Sequence, residues 1–106
     1  MSDWVNVGSV DEIQPGQYKT MDIKDTMIAV FNIEGKLYAI EDVCTHDGGI
    51  LTGGTLAGCV ITCPRHGAQF DVRSGTVLAP PAYEPITTFS VRVHDGMIQV
   101  KDDRWD

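Results

Sequence analysis

The chain has 106 residues, 42% of them hydrophobic and 22% charged, which makes it one globular domain, 1–106, with one modest core. That length leaves no room for a second catalytic domain, for a dinucleotide fold beside another module, or for a (β/α)8 barrel. Eight basic residues against fifteen acidic ones give a formal charge of −7, which argues against nucleic acid and against an anionic membrane surface as partners, since both are gripped by clustered Lys and Arg.

Residues 4–7 form a brief, mixed β-type segment. Ser9 stands three residues before Glu12, the spacing of a capping box, and Pro15-Gly16 follows closely, so at most one helical turn fits between them. Residues 17–23 carry Tyr18 and Thr20 and tolerate a strand. Residues 27–31 and 37–40 are strand-like, with Glu34-Gly35 between them as a hairpin signal. Near the end Phe89, Val91 and Val93 alternate with Ser90, Arg92 and His94, the period of a half-buried strand. Asp95-Gly96 marks a second hairpin turn, and residues 97–100 return as its partner strand. No dozen-residue window carries a helical stripe. Strands at this spacing predict an all-β antiparallel sandwich or barrel. Residues 102–106 read as a solvated tail.

The start of the chain has neither a basic n-region nor an apolar h-region, and no apolar run approaches the roughly 20 residues of a membrane span. A cytoplasmic, reducing location is the expectation. Three cysteines suit metal ligation or free thiols better than a disulfide framework.

Residues 42–85 differ from the rest. They are rich in Gly, Pro, Cys and His, and so much irregular backbone inside a small β domain is usually functional. Two pieces stand out, Cys44-Thr45-His46 and Cys63-Pro64-Arg65-His66-Gly67, with sixteen residues between His46 and Cys63. A single zinc could take two Cys and two His, but such sites pair Cys with Cys in a knuckle and His with His on a helix. Here each piece mixes the two ligand types. That mixture suits a binuclear cluster better, in which one iron takes two thiolates and its neighbour two imidazoles. Cys59 reads as a small buried core residue and His94 as a surface residue. Arg65 reads equally as a solvated charge or as a contact for an acidic partner. Trp105 reads as a mobile terminal aromatic, with partner anchoring as its alternative.

Cys-x-His, sixteen residues, then Cys-x-x-His-Gly resembles the signature of the Rieske family. The resemblance continues through Phe70-Asp71, Ser74-Gly75, Ala79-Pro80-Pro81-Ala82 and the closing hairpin, and so covers nearly the whole chain. It implies a small Rieske-type antiparallel β fold with a loop-rich cluster-binding subdomain at about 42–85, holding one [2Fe-2S] cluster. Cys44 and Cys63 would ligate the buried iron, His46 and His66 the exposed one, and Pro80-Pro81 would form a third, shielding loop. Respiratory members carry a further cysteine in each loop, joined as a disulfide. The matching positions here are Gly49 and Arg65. They also carry hydroxyl donors where this chain has Ala68 and Phe70. Fewer donors imply a potential at the low end of the family's range of about −150 to about +300 mV.

The function implied is that of a soluble, monomeric one-electron carrier, not itself an enzyme. It resembles the ferredoxins that pass electrons from a flavin-dependent NAD(P)H reductase to a terminal non-heme iron oxygenase in bacterial ring-hydroxylating systems. Two other readings stand beside it: a small subunit of an assimilatory nitrite reductase-like enzyme, and a zinc-bound or apo interaction module. The acidic charge serves solubility, or steers the carrier toward basic faces on its partners.

Overall fold

The computed structural model describes residues 4–101. Strand β1 (Val5–Ser9) runs into a single 3₁₀ turn, Val10–Glu12. Ser9 caps it. Its hydroxyl accepts from the Asp11 amide at 3.3 Å, and the Glu12 carboxylate accepts from the Ser9 amide, the reciprocal pair anticipated from the sequence. Strands β2 (Tyr18–Ile23), β3 (Thr26–Ile33) and β4 (Lys36–Glu41) then form an antiparallel meander. The turns between them, Lys24-Asp25 and Glu34-Gly35, have φ of 52° and 65°, and of 54° and 89°. Positive φ at both positions is the I′ geometry that matches strand twist. The sequence signalled the second turn. The first has no glycine, and rests instead on the Asp22 carboxylate, which accepts from the Asp25 amide at 3.1 Å.

Four short strands follow: β5 (Leu56–Ala57), β6 (Val60–Thr62), β7 (Gln69–Asp71) and β8 (Val77–Ala79). They form a second sheet in the order β5-β6-β7-β8. The chain then returns with β9 (Thr88–His94) and β10 (Met97–Lys101), joined by Asp95-Gly96. The first sheet thus has six strands in the order β1-β10-β9-β4-β3-β2, closed in the middle by Ala39 opposite Phe89 and Ile40 opposite Thr88. Its two edges approach each other. Lys19 on β2 donates to the Val7 carbonyl on β1 at 2.9 Å and pairs with Glu12 at 3.2 Å. Beyond the 3₁₀ turn, no helix occurs among the described residues, and none is long and apolar enough to cross a membrane.

Strand β3 is the wall between two cores. Ile28 and Val30, with Ala39 of β4, face Val7, Ile98 and Val100. Ala29 and Phe31, with Ile40, face the second sheet and the loops that carry Cys44 and Cys63. A strand buried on both faces needs apolar side chains at every position, which is why the run 28–31 is apolar throughout, while Met27 before it is exposed. The alternation expected along β9 holds only at its start: Phe89 is buried, Val91 is half-buried, and Val93 is 50% exposed as the hairpin leaves the core. Cys59 is half-buried at the rim of the larger core, not inside it. The tail at 102–106, with Trp105, lies outside the described residues.

Candidate metal centre

Two loops of the same backbone design meet above the second sheet. The first follows β4. In it the Cys44 amide donates to the Gly49 carbonyl and the Gly48 amide to the Cys44 carbonyl, both at 2.7 Å. The second joins β6 to β7. In it the Cys63 amide donates to the Ala68 carbonyl at 2.7 Å and the Gly67 amide to the Cys63 carbonyl at 3.2 Å. Each cysteine therefore opens a closed loop of the same length, and each histidine sits at the exposed tip. The first loop has no flanking hairpin, so it is braced from below. Buried Asp42 accepts from the amides of Leu51 and Thr52 at 3.0 and 2.9 Å and from the Thr52 hydroxyl at 2.6 Å.

The four residues singled out from the sequence are brought together. Cys44 and Cys63 are buried, 0% and 2% exposed. His46 and His66 are exposed side by side, with ring centroids 5.2 Å apart and planes at 89°. Burial pushes the Cys44 thiol up, against the amides of His46 and Asp47 that face its sulfur. Burial opposes ionisation of Cys63 as well, but the amides of Arg65 and His66 and the neighbouring Cys44 outweigh it and hold this thiol down. Thus each sulfur lies in a cradle of two backbone N–H groups from its own loop, a setting built for negatively charged sulfur.

Asp47 was not singled out from the sequence, yet one of its carboxylate oxygens and the two sulfurs all lie within 4.8 Å of one another. Its oxygens are already occupied. Arg65 donates from Nε to Oδ2 at 2.6 Å and from Nη2 to Oδ1 at 3.0 Å, and the Gly49 amide donates to Oδ1 at 2.8 Å. The Arg65 guanidinium, with that amide, holds the Asp47 carboxyl well below the usual carboxylate range. Asp47 is therefore a tied anion beside the thiols and not a free ligand. An acidic residue directly after the loop histidine was the signal available in the sequence, but its meaning depends on an arginine 18 residues away.

A third segment closes one side. The Thr45 hydroxyl donates to the Glu84 carbonyl at 2.6 Å, and Ala82 is buried in the same core as the cysteines. Pro80-Pro81 carries a cis peptide bond. Thr45, His46, Pro81, Tyr83 and Glu84 line a shallow hollow of about 310 Å³ that opens beside the His46 ring. Ala68 and Phe70 are wholly buried among the two cysteines and their neighbours. His94 is exposed and pairs with Asp95 at 3.3 Å, away from this site. Cys59 lines a separate hollow of about 320 Å³ with Pro15, Asn32, Ile33 and Leu56.

Two buried thiols and two exposed imidazoles, offered in pairs by matched loops with amides facing the sulfurs, fit an iron–sulfur cluster with mixed ligands. Comparison with known proteins agrees. The family model of the Rieske [2Fe-2S] domain matches residues 3–90. The ferredoxin CarAc of Metapseudomonas resinovorans is 34% identical over 102 residues, covering 95% of this chain and 95% of the relative. The ferredoxin component of the naphthalene 1,2-dioxygenase/salicylate 5-hydroxylase systems of a Ralstonia species is 30% identical over 99 residues, covering 93% of this chain and 95% of the relative. Among solved structures, the ferredoxin of carbazole 1,9a-dioxygenase from Nocardioides aromaticivorans superimposes with a TM-score of 0.87 at 31% identity, over 93% of this chain and 97% of that one. A chain from the complex of reduced oxygenase and oxidized ferredoxin in carbazole 1,9a-dioxygenase gives 0.86 at 36% identity, over 92% of this chain and 91% of that one.

Proposed function

The chain belongs to the Rieske [2Fe-2S] domain family, and from that premise we propose that Cys44, His46, Cys63 and His66 hold its cluster and that the molecule shuttles single electrons. It is an electron carrier to a terminal oxygenase and not itself a catalyst, as its relatives are ferredoxin components of dioxygenase systems. The observation that carries the assignment of ligands is the pairing in the two loops: each buries a thiol and exposes an imidazole, and the imidazoles stand together at the surface.

When bound, the cluster supplies one-electron redox chemistry at a pair of irons made unequal by thiolate and imidazole ligation. The chain's own part is to hold, shield and present it. Cys44 and Cys63 keep the sulfur side dry beneath Leu51, Ala68 and Phe70. His46 and His66 form the exposed edge that a partner can approach, with the hollow beside His46 available to a partner side chain. The absence of a hydroxyl at Ala68 and Phe70 leaves the sulfurs with backbone donors, which supports a potential at the low end of the family's range.

The same reading takes 1–106 as one domain, acting as a monomer in the cytoplasm with a flavoprotein NAD(P)H reductase as its electron donor. Its support is the set of three free cysteines and a single wall, β3, shared by both cores. A small transient interface suits a shuttle. Ferredoxin relatives favour the carrier over a nitrite reductase-like subunit.

Spectroscopy of the purified protein tests the assignment. A reddish-brown protein whose reduced form gives the low average g of a Rieske centre, lost on His66→Ala, is the expected result. A colourless protein loaded with zinc overturns it.

A further inference from the structure

We infer that Arg65 is a positioning residue: it clasps the second cluster loop to the first and so fixes the spacing between the two cysteine–histidine pairs. The inference rests on the assignment of those four residues as the cluster's ligands. Its basis is a set of contacts made by one guanidinium. Nε and Nη2 take both oxygens of Asp47, at 2.6 and 3.0 Å, and Nη1 donates to the Ile50 carbonyl at 2.9 Å. Asp47 directly follows His46, and Arg65 directly precedes His66. The clasp therefore joins the two histidine tips at their roots. Asp47 is itself held by the Gly49 amide of its own loop, so the tie runs into a closed turn and not to a loose side chain.

Gly49 makes the approach possible. A Cβ at this position would lie 2.6 Å from both Cζ and Nη2 of Arg65, so the guanidinium packs directly on the bare backbone of the first loop. Only a planar fork makes these three contacts at once, since an ammonium is a point charge on a flexible stem. The pair is partly exposed, with side chains 36% and 21% accessible, so it adds little to global stability. What it does is geometric. It ties the second loop, flanked by the three-residue strands β6 and β7, to the first, which no hairpin flanks. The contact also bears on the reading of Arg65 as a solvated charge. Its charge is not a lone solvated one, because Asp47 already pairs with it.

Neutralisation gives the clasp an electrical signature. Asp47→Asn leaves an uncompensated cation beside the site and favours the reduced, more negative cluster, so the midpoint potential rises. Arg65→Gln leaves an uncompensated anion, so the potential falls. The double variant restores the balance and returns close to wild type. Loosening alone cannot move the two single variants in opposite directions.

The test uses the purified holoprotein and its variants Arg65→Gln, Arg65→Lys, Asp47→Asn, Arg65→Gln/Asp47→Asn and Gly49→Ala. Bleaching of the visible absorbance in an iron chelator measures cluster loss, and voltammetry measures the potential. Either single variant of the pair is expected to lose its cluster about tenfold faster, the scale of groups that orient metal ligands. The double is expected to be no faster than the singles, and Lys to lie between Arg and Gln. Gly49→Ala, which keeps both charges, is expected to speed loss with little change in potential, and it still decides the matter if Arg65→Gln fails to fold. Loss rates within about twofold of wild type for Arg65→Gln and Gly49→Ala, or potentials that shift the same way in both single charge variants, overturn the clasp. A wild-type protein that holds no cluster overturns the ligand assignment instead.

Discussion

The two sheets of this small protein are built to different rules. The six-stranded sheet uses strands of five to eight residues, joined in its two hairpin regions by two-residue turns with positive φ. Its strands find their hydrogen bonds in one another. The four-stranded sheet uses strands of two or three residues, and much of its backbone is satisfied by loops: Val72 donates to the Cys59 carbonyl, Thr62 to Thr55 and Ile86 to Gly75, at 2.9, 2.9 and 3.0 Å. The first sheet is a scaffold that can stand by its own pairing. The second exists because it packs on Ala29, Phe31 and Ile40 of the scaffold and because its loops are tied across the top. Low local stability next to the site is the consequence, since the least self-sufficient segment carries the ligands.

The largest expected effect attacks the packing on which the second sheet depends. Phe70 is wholly buried, with Ile61 opposite it on β6 and both cysteines in the same cluster. Phe70→Ala is expected to cost about 3–5 kcal/mol in urea unfolding. Native-state hydrogen exchange is expected to show protection lost across β5 to β8 while β3 and β10 keep most of theirs. Equal loss in both sheets would mean that they unfold as one unit, and the contrast between them would not stand.

The scaffold was largely legible in the sequence, and the reason is physical. Its strands are long enough for side-chain pattern to show, and two of its turns carry glycine. The turn at Lys24-Asp25 was missed because its support is a side-chain bond from Asp22. Strands β5 to β8 were missed because two or three residues cannot display a period, so 42–85 reads as loop. The Cys and His of the site were visible as spacing and as family resemblance. Asp42, Asp47 and the clasping role of Arg65 were not, since each acts through partners 9 to 18 residues away that only the folded loops bring near. Cys59 at the rim and Val93 in solvent show the converse: apolar character in the sequence does not say where a core ends.

A smaller effect sharpens the electronic side of the contrast. In the second sheet the buried surface that excludes water from the sulfurs also withholds hydroxyl donors, at Ala68 and Phe70. Ala68→Ser and Phe70→Tyr each add one. A hydroxyl that bonds a sulfur is expected to favour the reduced cluster by about 1 kcal/mol and to raise the midpoint potential accordingly. Voltammetry read beside unfolding midpoints separates the outcomes. A raised potential with stability retained supports the low-donor account. A hydroxyl seen bonded to sulfur with no rise in potential in either variant defeats it.

The smallest effect belongs to the scaffold, where one carboxylate helps to bring the sheet edges together. Glu12 accepts from the Ser9 amide and pairs with Lys19, and these two interactions, the amide first, lower its pKa below 4.5. A depressed carboxylate stabilises the fold fully above its unfolded value and loses that contribution as the pH falls through its folded value. Glu12→Gln keeps an acceptor for the Ser9 amide but removes the charge, so it isolates the ionic part. At neutral pH the variant is expected to melt about 1–2 °C below wild type, the small size reflecting screening of a pair that solvent reaches. Below pH 4.5 the gap should begin to narrow, and it closes only once the pH has fallen through the lowered folded value, where wild-type Glu12 becomes neutral as well. Thermal melts of the two proteins followed through the strand signal, from neutral pH down to about pH 3, read this directly. A gap that persists undiminished in acid would assign the effect to the uncharged cap, and the closing of the sheet edges would then owe nothing to the Lys19 ion pair.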